Sequence, residues 1–353
     1  MVDVNHTPTA VRDRRIVSEI NRRTGAGLTM TGRSLFGRLG GAVYAEWPDG
    51  RPAVVTRFLG SLAEARRTAG VLAHVRDSGL PVPRHELVVQ LDDGVFFVQE
   101  RLPSASPQRL SPARMEAIVG INDRFADALA ARPEVPAPPQ CSPRGGGSDP
   151  RHEVLAGHGP RSRRVLEQIV RITERAPDGM VGADLVHVDL SGANVLFDES
   201  GAATGVVDWN LGAYRGDRLF ALVQTRFDRE WFVRSPDADP VETAAAFRLD
   251  EILAERIPPD TLRLYWAWWM LRQLARAIRT ASPEAVDWHL DLAESRLGLR
   301  LGDDPALSPI MGHDGASRRP GIRPGGSRRL VSGAGPRRSR RSSSGGPSAG
   351  VVA

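Results

Sequence analysis

The sequence predicts an α+β chain of two lobes, a small β-rich one followed by a larger, mainly helical one. Three observations carry that expectation. Up to about residue 101, apolar residues alternate in short runs parted by Pro48-Asp49-Gly50 and Asp92-Asp93-Gly94, the turn residues of tight hairpins. From Ser111-Pro112 onward the apolar spacing is helical. Gly/Pro-rich breaks at 132–160 and from about 302 set the limits of the packed chain. A ligand of such a chain would lie in the cleft between the lobes.

Taken in order, residues 9–23 have the spacing of a short helix. Strands are expected at 28–36, 41–47 and 52–58, the last two joined by the Pro48-Asp49-Gly50 turn. Ser61 is placed to cap a helix reaching about residue 77, which Gly79 and Pro81 end. Strands at 85–90 and 95–101 complete the small lobe. Helices follow at 112–131, 161–176, about 215–230, 241–256, 261–280 and 283–296, with a strand pair, 194–197 and 203–208, around Glu199-Ser200-Gly201. Residues 132–160 hold seven prolines and five glycines and read as a flexible insertion. The Arg/Gly/Ser/Pro tail cannot offset its own ordering entropy and reads as disordered. The expected division is an N-terminal helical extension (1–26), a small lobe (27–102), a large lobe (103–300) and the tail (301–353).

Composition removes several classes. At 353 residues, with 41% hydrophobic and 25% charged positions, the chain is neither a fibre nor wholly disordered. The longest apolar run, residues 264–271, is bounded by Arg263 and Arg272 and falls far short of the ~20 residues a membrane span needs. No secretory signal is visible, and the lone Cys141 permits no internal disulfide; together these predict a cytoplasmic protein without a membrane partner. Cys141 carries no nucleophile signature. All 47 basic residues are arginine. Nine of them, and no acid, lie in 315–353, so with a net charge of +5 the preceding residues carry −4. An argument for nucleic-acid contact therefore concerns the tail alone, and without interleaved aromatics it extends only to weak, nonspecific contacts.

The chemistry concentrates in residues 184–210. His187-x-Asp189-Leu190-x-x-x-Asn194 has the kinase catalytic-loop pattern, and Asp208 follows fourteen residues after Asn194 at the end of a strand. Phosphoryl transfer needs one carboxylate to orient a hydroxyl and take its proton, and hard oxygen ligands for Mg²⁺ on the triphosphate. Asp189 is the base candidate; Asn194 and Asp208 are the metal candidates. Gly37-Arg38-Leu39-Gly40-Gly41-Ala42-Val43-Tyr44 reads equally as a glycine loop, with Gly40 and Gly41 over the phosphates, or as a plain hairpin turn. Arg57, in the strand Ala53-Val54-Val55-Thr56-Arg57-Phe58, is either a phosphate cation or a solvated strand arginine.

These residues resemble the aminoglycoside phosphotransferase-like family, relatives of choline kinase and of protein kinases, over roughly 27–300. The family loop is matched by His187-Val188-Asp189 and Asn194, its Ile-Asp-Trp by Val207-Asp208-Trp209, and its Gly-Asp-Pro segment by Gly216-Asp217-Arg218. The resemblance implies a bilobal protein-kinase-like fold and transfer of phosphate from ATP or GTP, with Mg²⁺, to a hydroxyl of a small molecule. It implies catalytic roles for Asp189 and His187, the latter bracing the loop, and metal roles for Asn194 and Asp208. Nucleotide contacts fall to Arg57, Gly40, Gly41 and the hinge around Glu100. One departure stands out: the family's helical glutamate is replaced by Thr68, with Glu64 one turn earlier as the substitute partner for Arg57. That departure keeps a weak or inactive pseudokinase, acting as a nucleotide-binding module, as the alternative. Residues 228–260 hold nine acids against four arginines, which reads either as a solvated helical face or as a surface suited to an amine-bearing, cationic acceptor such as an aminoglycoside. Most of Tyr265-Trp266-Ala267-Trp268-Trp269 is expected in the core, with Trp266 or Trp269 as candidates to stack on a sugar ring.

Overall fold

The computed structural model describes residues 8–34, 41–104, 109–139, 149–174, 176–177, 179–235 and 237–299. Its small lobe is a five-stranded antiparallel sheet in the order β1-β2-β3-β5-β4, formed by β1 (Thr29–Arg33), β2 (Val43–Glu46), β3 (Pro52–Phe58), β4 (His85–Leu91) and β5 (Gly94–Glu100). The turn residues act as expected: Trp47 N–H donates to Arg51 O, and Gly50 takes φ +83°, which a Cβ would strain. Strand alternation then sorts the side chains. Ala53, Val55, Phe96 and Val98 pack under α1 (Pro8–Thr24), joining Ile16, Val17 and Ile20. Phe58, Val95 and Phe97 pack with Ala65 of α2 (Leu62–Asp77) on the other face. Helix α2 starts at a full capping box, Ser61 Oγ accepting from Glu64 N–H while Glu64 accepts from Ser61 N–H.

The large lobe is built on α8 (Pro259–Thr280), which is apolar on most of its circumference and buried accordingly. Around it lie α4 (Pro150–His158), α5 (Pro160–Thr173), α6 (Leu219–Val233), α7 (Pro240–Arg256) and α9 (Pro283–Leu297). Helix α3 (Pro112–Asp123) packs on α7 and on β8 (Ala203–Val206). Two short antiparallel pairs complete the lobe: β6 (Asp184–His187) with β9 (Ala213–Gly216), and β7 (Val195–Phe197) with β8. Val71, Leu72 and Val75 of α2 belong to the large-lobe core, so α2 joins the two lobes. No helix among the described residues is long and apolar enough to cross a membrane.

Three expectations need correction. The helix expected over 112–131 ends at Asp123. The chain then turns, with Asp127 at φ 52°, because its backbone is needed to pair with the β6 end: Leu185 N–H donates to Phe125 O and Leu129 N–H to Ala183 O. Part of the supposed insertion is α4, capped by Asp149 with Pro150 in its first turn. The helix expected from about 215 is preceded by β9, and its partner β6 was not expected, four residues being too few to show a period. Residues 300–353, with the tail, and Cys141 fall outside the described residues.

Gly182 fixes how β6 enters this arrangement. Its φ is +149°, and a Cβ there would sit 2.2 Å from Gly216 O. Gly182→Ala is expected to lower stability by at least about 2 kcal/mol. Urea unfolding measures this; an unchanged midpoint would remove the close approach of 182 to 216 from the folding argument.

Candidate active site

The catalytic-loop residues leave β6 at His187 and return through β7, β8 and the turn before β9. His187 is 1% exposed. Its Nδ1 accepts Asp189 N–H at 3.0 Å, so Nε2 carries the proton and donates to Val207 O at 3.0 Å. Desolvation holds its pKa below the usual imidazole value, and its ring meets Trp209 edge-on at 4.2 Å. His187 is therefore a neutral brace tying the loop to Val207, between the end of β8 and Asp208.

Asp189 is held on both sides. Gln224 Nε2 donates to its Oδ1 at 2.7 Å, and Asn194 Nδ2 donates to its backbone O at 2.7 Å and lies 3.4 Å from Oδ2. Asn194 O in turn accepts Val207 N–H at 2.9 Å, one residue before Asp208. Asp208 is one of two described non-glycine residues with positive φ (63°), a conformation that costs roughly 1–3 kcal/mol. Burial, then the nearby Asp189 charge, push the Asp208 carboxyl up to about 6, while Asn210 opposes the shift. The structure thus brings Asp189, Asn194 and Asp208 together.

The donor set can be tested against a cation. No group of three or more His, Cys, Asp or Glu side chains among the described residues could hold a metal. A protein-only cage is therefore not offered. What is offered is the Asp208 carboxylate, destabilised by Asp189, and Asn194 Oδ1, to which no described residue donates. One carboxylate and one amide suit Mg²⁺, which keeps part of its shell for phosphate oxygens and water.

The small-lobe expectations fare differently. Of the glycine loop, 35–40 (with Gly40) lie outside the described residues; Gly41 is described, at φ 72°. Gly41 and Arg57 line one small hollow with Arg12, Asp13 and Phe96, on the α1 side of the sheet, where Arg57 is exposed. The expected pairing of Glu64 with Arg57 does not form. Strand alternation turns Arg57 away from α2, and the Glu64 carboxylate is engaged by Ser61 at 2.7 Å. Thr68 is buried at 1% exposure, and its hydroxyl and that of Thr56 have no described partner. At the hinge, Glu100 N–H donates to Arg84 O and its carboxylate meets Arg76 at 3.3 Å, while Arg101 N–H reaches Pro52 O.

Part of the acidic stretch expected to face an acceptor is engaged within the protein. Glu230 is 2% exposed and bound by Arg226, Arg234 and Arg296; Asp250 takes Arg226 and Arg296, Glu242 takes Arg229 and Asp239 takes Arg109. These acids hold helices together. Trp266 and Trp269 are each 3% exposed and so do not stack on a ligand. Sequence reasoning missed Gln224 and Thr225 of α6, which clamp Leu190: Gln224 Oε1 accepts Leu190 N–H, and Thr225 Oγ1 donates to Leu190 O. Neither carries a motif. It also missed Arg272 of α8, half-buried over the Trp269 ring at 5.3 Å and near enough to Asp189 for the two charges to act on each other.

Residues 37–243 match the model of the phosphotransferase enzyme family. No curated protein matches the sequence. Among solved structures, the aminoglycoside phosphotransferase APH(4)-Ia is similar at TM-score 0.54 and 18% identity, covering 81% of this chain and 98% of that one. The amicoumacin kinase hAmiN, in complex with AMP-PNP and Ca²⁺, is similar at TM-score 0.56 and 13% identity, covering 82% and 96%. At these identities the likeness is one of fold, and it gives the bilobal kinase-like architecture.

Two outcomes follow from this geometry. A proton on Asp208 competes with a cation, so stabilisation by Mg²⁺ and ADP should be smaller at pH 5, where that carboxyl is mostly protonated, than at pH 7.5, where it is ionised. Thermal shifts equal at the two pH values would take Asp208 out of the ligand set. Gln224→Ala strands the Leu190 amide and frees Asp189; a stability loss of about 1–3 kcal/mol is expected, with a fall in turnover larger than any change in nucleotide affinity.

Proposed function

Because the chain belongs to the phosphotransferase enzyme family, we propose that it moves the γ-phosphate of ATP or GTP onto a hydroxyl of a small molecule. The observation that carries this reading is the convergence of Asp189, Asn194 and Asp208, with Asp189 pinned between Gln224 and Asn194. Two structures of the same fold that hold ADP or AMP-PNP support a nucleotide co-substrate.

The roles follow from the geometry. Asp189 Oδ2, on the side away from Gln224, accepts a hydrogen bond from the acceptor hydroxyl and takes its proton as the new P–O bond forms and the bond to the nucleoside diphosphate breaks. Asn194 and Asp208 would hold Mg²⁺. When bound, that ion neutralises phosphate charge as it shifts to the leaving diphosphate. His187, a neutral imidazole with both nitrogens bonded to backbone, positions Asp189 and Val207 and moves no proton. The loop at Gly41 would meet the phosphates from the small lobe, whereas Arg57, on the α1 face of the sheet and turned away from α2, is not placed to reach them. The chain around Glu100 would take the base, with Leu102 as the first residue past β5 whose amide has no described acceptor.

Asp189→Asn is expected to lower turnover by roughly 10²–10⁴-fold while nucleotide affinity stays within about twofold of wild type. Coupled nucleotide-consumption assays over aminoglycosides, amino alcohols, sugars and sugar acids measure it, and a fully active variant would end the base assignment. One observation favours a second reading: with Thr68 buried and Glu64 capping its own helix, no carboxylate of α2 braces a phosphate cation. On that reading nucleotide raises the melting temperature and no acceptor is consumed.

A further inference from the structure

We propose that the acceptor carries an anionic group, a carboxylate or a phosphate, and that Arg272 of α8 receives it. The proposal rests on the phosphotransferase reading above and narrows its acceptor. It begins with charge along one helix: from residue 261 to 280, α8 carries Arg263, Arg272, Arg276 and Arg279 and no acid. Three of these have distinct situations. Arg279 donates to Pro150 O and ties α8 to α4. Arg272 and Arg276, one turn apart, have no carboxylate within ion-pair distance among the described residues. Arg151, at the start of α4, adds a third cation to the group, and its charge is already matched by Asp149 at 2.6 Å.

The place of Arg272 gives this group its meaning. Its guanidinium lies over Trp269, itself fixed edge-on against Phe220 and Phe227 of α6, the helix whose Gln224 holds Asp189. Tyr214 also feels the Arg272 charge, and it is in register with Val186, three residues before Asp189. Arg272 therefore stands on the large-lobe side of Asp189, within electrostatic reach of its carboxylate.

A half-buried arginine kept without a counter-ion is unfavourable unless a ligand supplies one. Burial, with the like charges of Arg276 and Arg151, works against the Arg272 cation, and Asp189 only partly compensates. A polycationic acceptor would meet repulsion from Arg272 and Arg276, and Glu230 and Asp250, two of the acids expected to attract it, are tied into helix–helix ion pairs. A planar guanidinium held on an indole can instead grip carboxylate or phosphate oxygens through two N–H groups.

The test uses the full chain with MgADP present, so that the nucleotide phosphates are in place, and titrates gluconate, inorganic phosphate and glucosamine by calorimetry. Gluconate and phosphate are expected to bind wild type, with glucosamine weaker than gluconate. Arg272→Gln should weaken both anions at least tenfold, Arg272→Lys should recover part of the loss, and both variants should keep the wild-type melting temperature within a few degrees and MgADP affinity within twofold. Three results would overturn the proposal: no anion binding to wild type, anion binding unchanged in Arg272→Gln, or MgADP weakened as much as the anions, which would make Arg272 a nucleotide contact. Turnover is scored separately with ATP. Anion binding through Arg272 without transfer to gluconate, glycerate or any other acceptor upholds the anion site and sinks the phosphotransferase reading. Transfer to glucosamine or kanamycin with a KM unchanged in Arg272→Gln does the reverse.

Discussion

Asp189 and Asp208 face each other's charge in a partly desolvated cleft, and holding two carboxylates that close opposes folding. The chain meets that opposition with backbone lacing. Asn194 O takes Val207 N–H, His187 spans from Asp189 N–H to Val207 O, and Gln224 and Thr225 fix both polar groups of the Leu190 peptide. Each bond contributes about 1 kcal/mol net, yet together they leave the loop without another low-energy arrangement. The left-handed backbone of Asp208 is a further strain accepted at the same point, and Leu59 N–H to Asn210 O anchors that turn to the end of β3. A bound cation would relieve the repulsion that the protein alone can only confine.

The two lobes depend on this lacing as well. Helix α2 belongs to both, with Ala65 against the sheet and Val71, Leu72 and Val75 in the large-lobe core. Val206 N–H donates to Pro81 O just after α2, and Arg124 donates to Gly79 O. The segment that ends α2 therefore touches β8, the strand that delivers Asp208. Any change in the tilt of α2 would be felt at the metal candidates through a path of a few residues, which makes the absence of a glutamate at position 68 a question of positioning as much as of charge.

How much was legible in the sequence follows from the range of each signal. Hairpins flagged by Pro-Asp-Gly and Asp-Asp-Gly, and the helix starts at Ser61 and Ser111, are local, and they formed where expected. The loop residues His187, Asp189 and Asn194 and the later Asp208 were legible because a fixed spacing ties them to one chemistry. Strands β6 and β9 were not, since four residues carry no usable period and their pairing joins segments nearly thirty positions apart. Gln224, Arg272 and the turn of Arg57 toward α1 depend on tertiary packing, and no spacing announces that. The acidic stretch misled for a related reason: a local count of charge is silent about partners such as Arg296, which lies sixty-six positions from Glu230.

That last point extends to the whole molecule. With no lysine, the ion pairs among the described residues are made by guanidinium, which stays charged and can engage two or more acceptors at once. Glu230 and Asp250 illustrate the result, sharing Arg226 and Arg296 in a network that is buried at its centre and holds α6, α7 and α9 together. Removing one member of such a network leaves an uncompensated charge, so these contacts are costly to break even where their net contribution to stability is small. Arg272 and Arg276 lie on α8, which carries no acid after Asp260, and neither has an ion-pair partner among the described residues. Arg272, half-buried over Trp269 and within electrostatic reach of Asp189, is placed to hold positive charge toward something that arrives from outside.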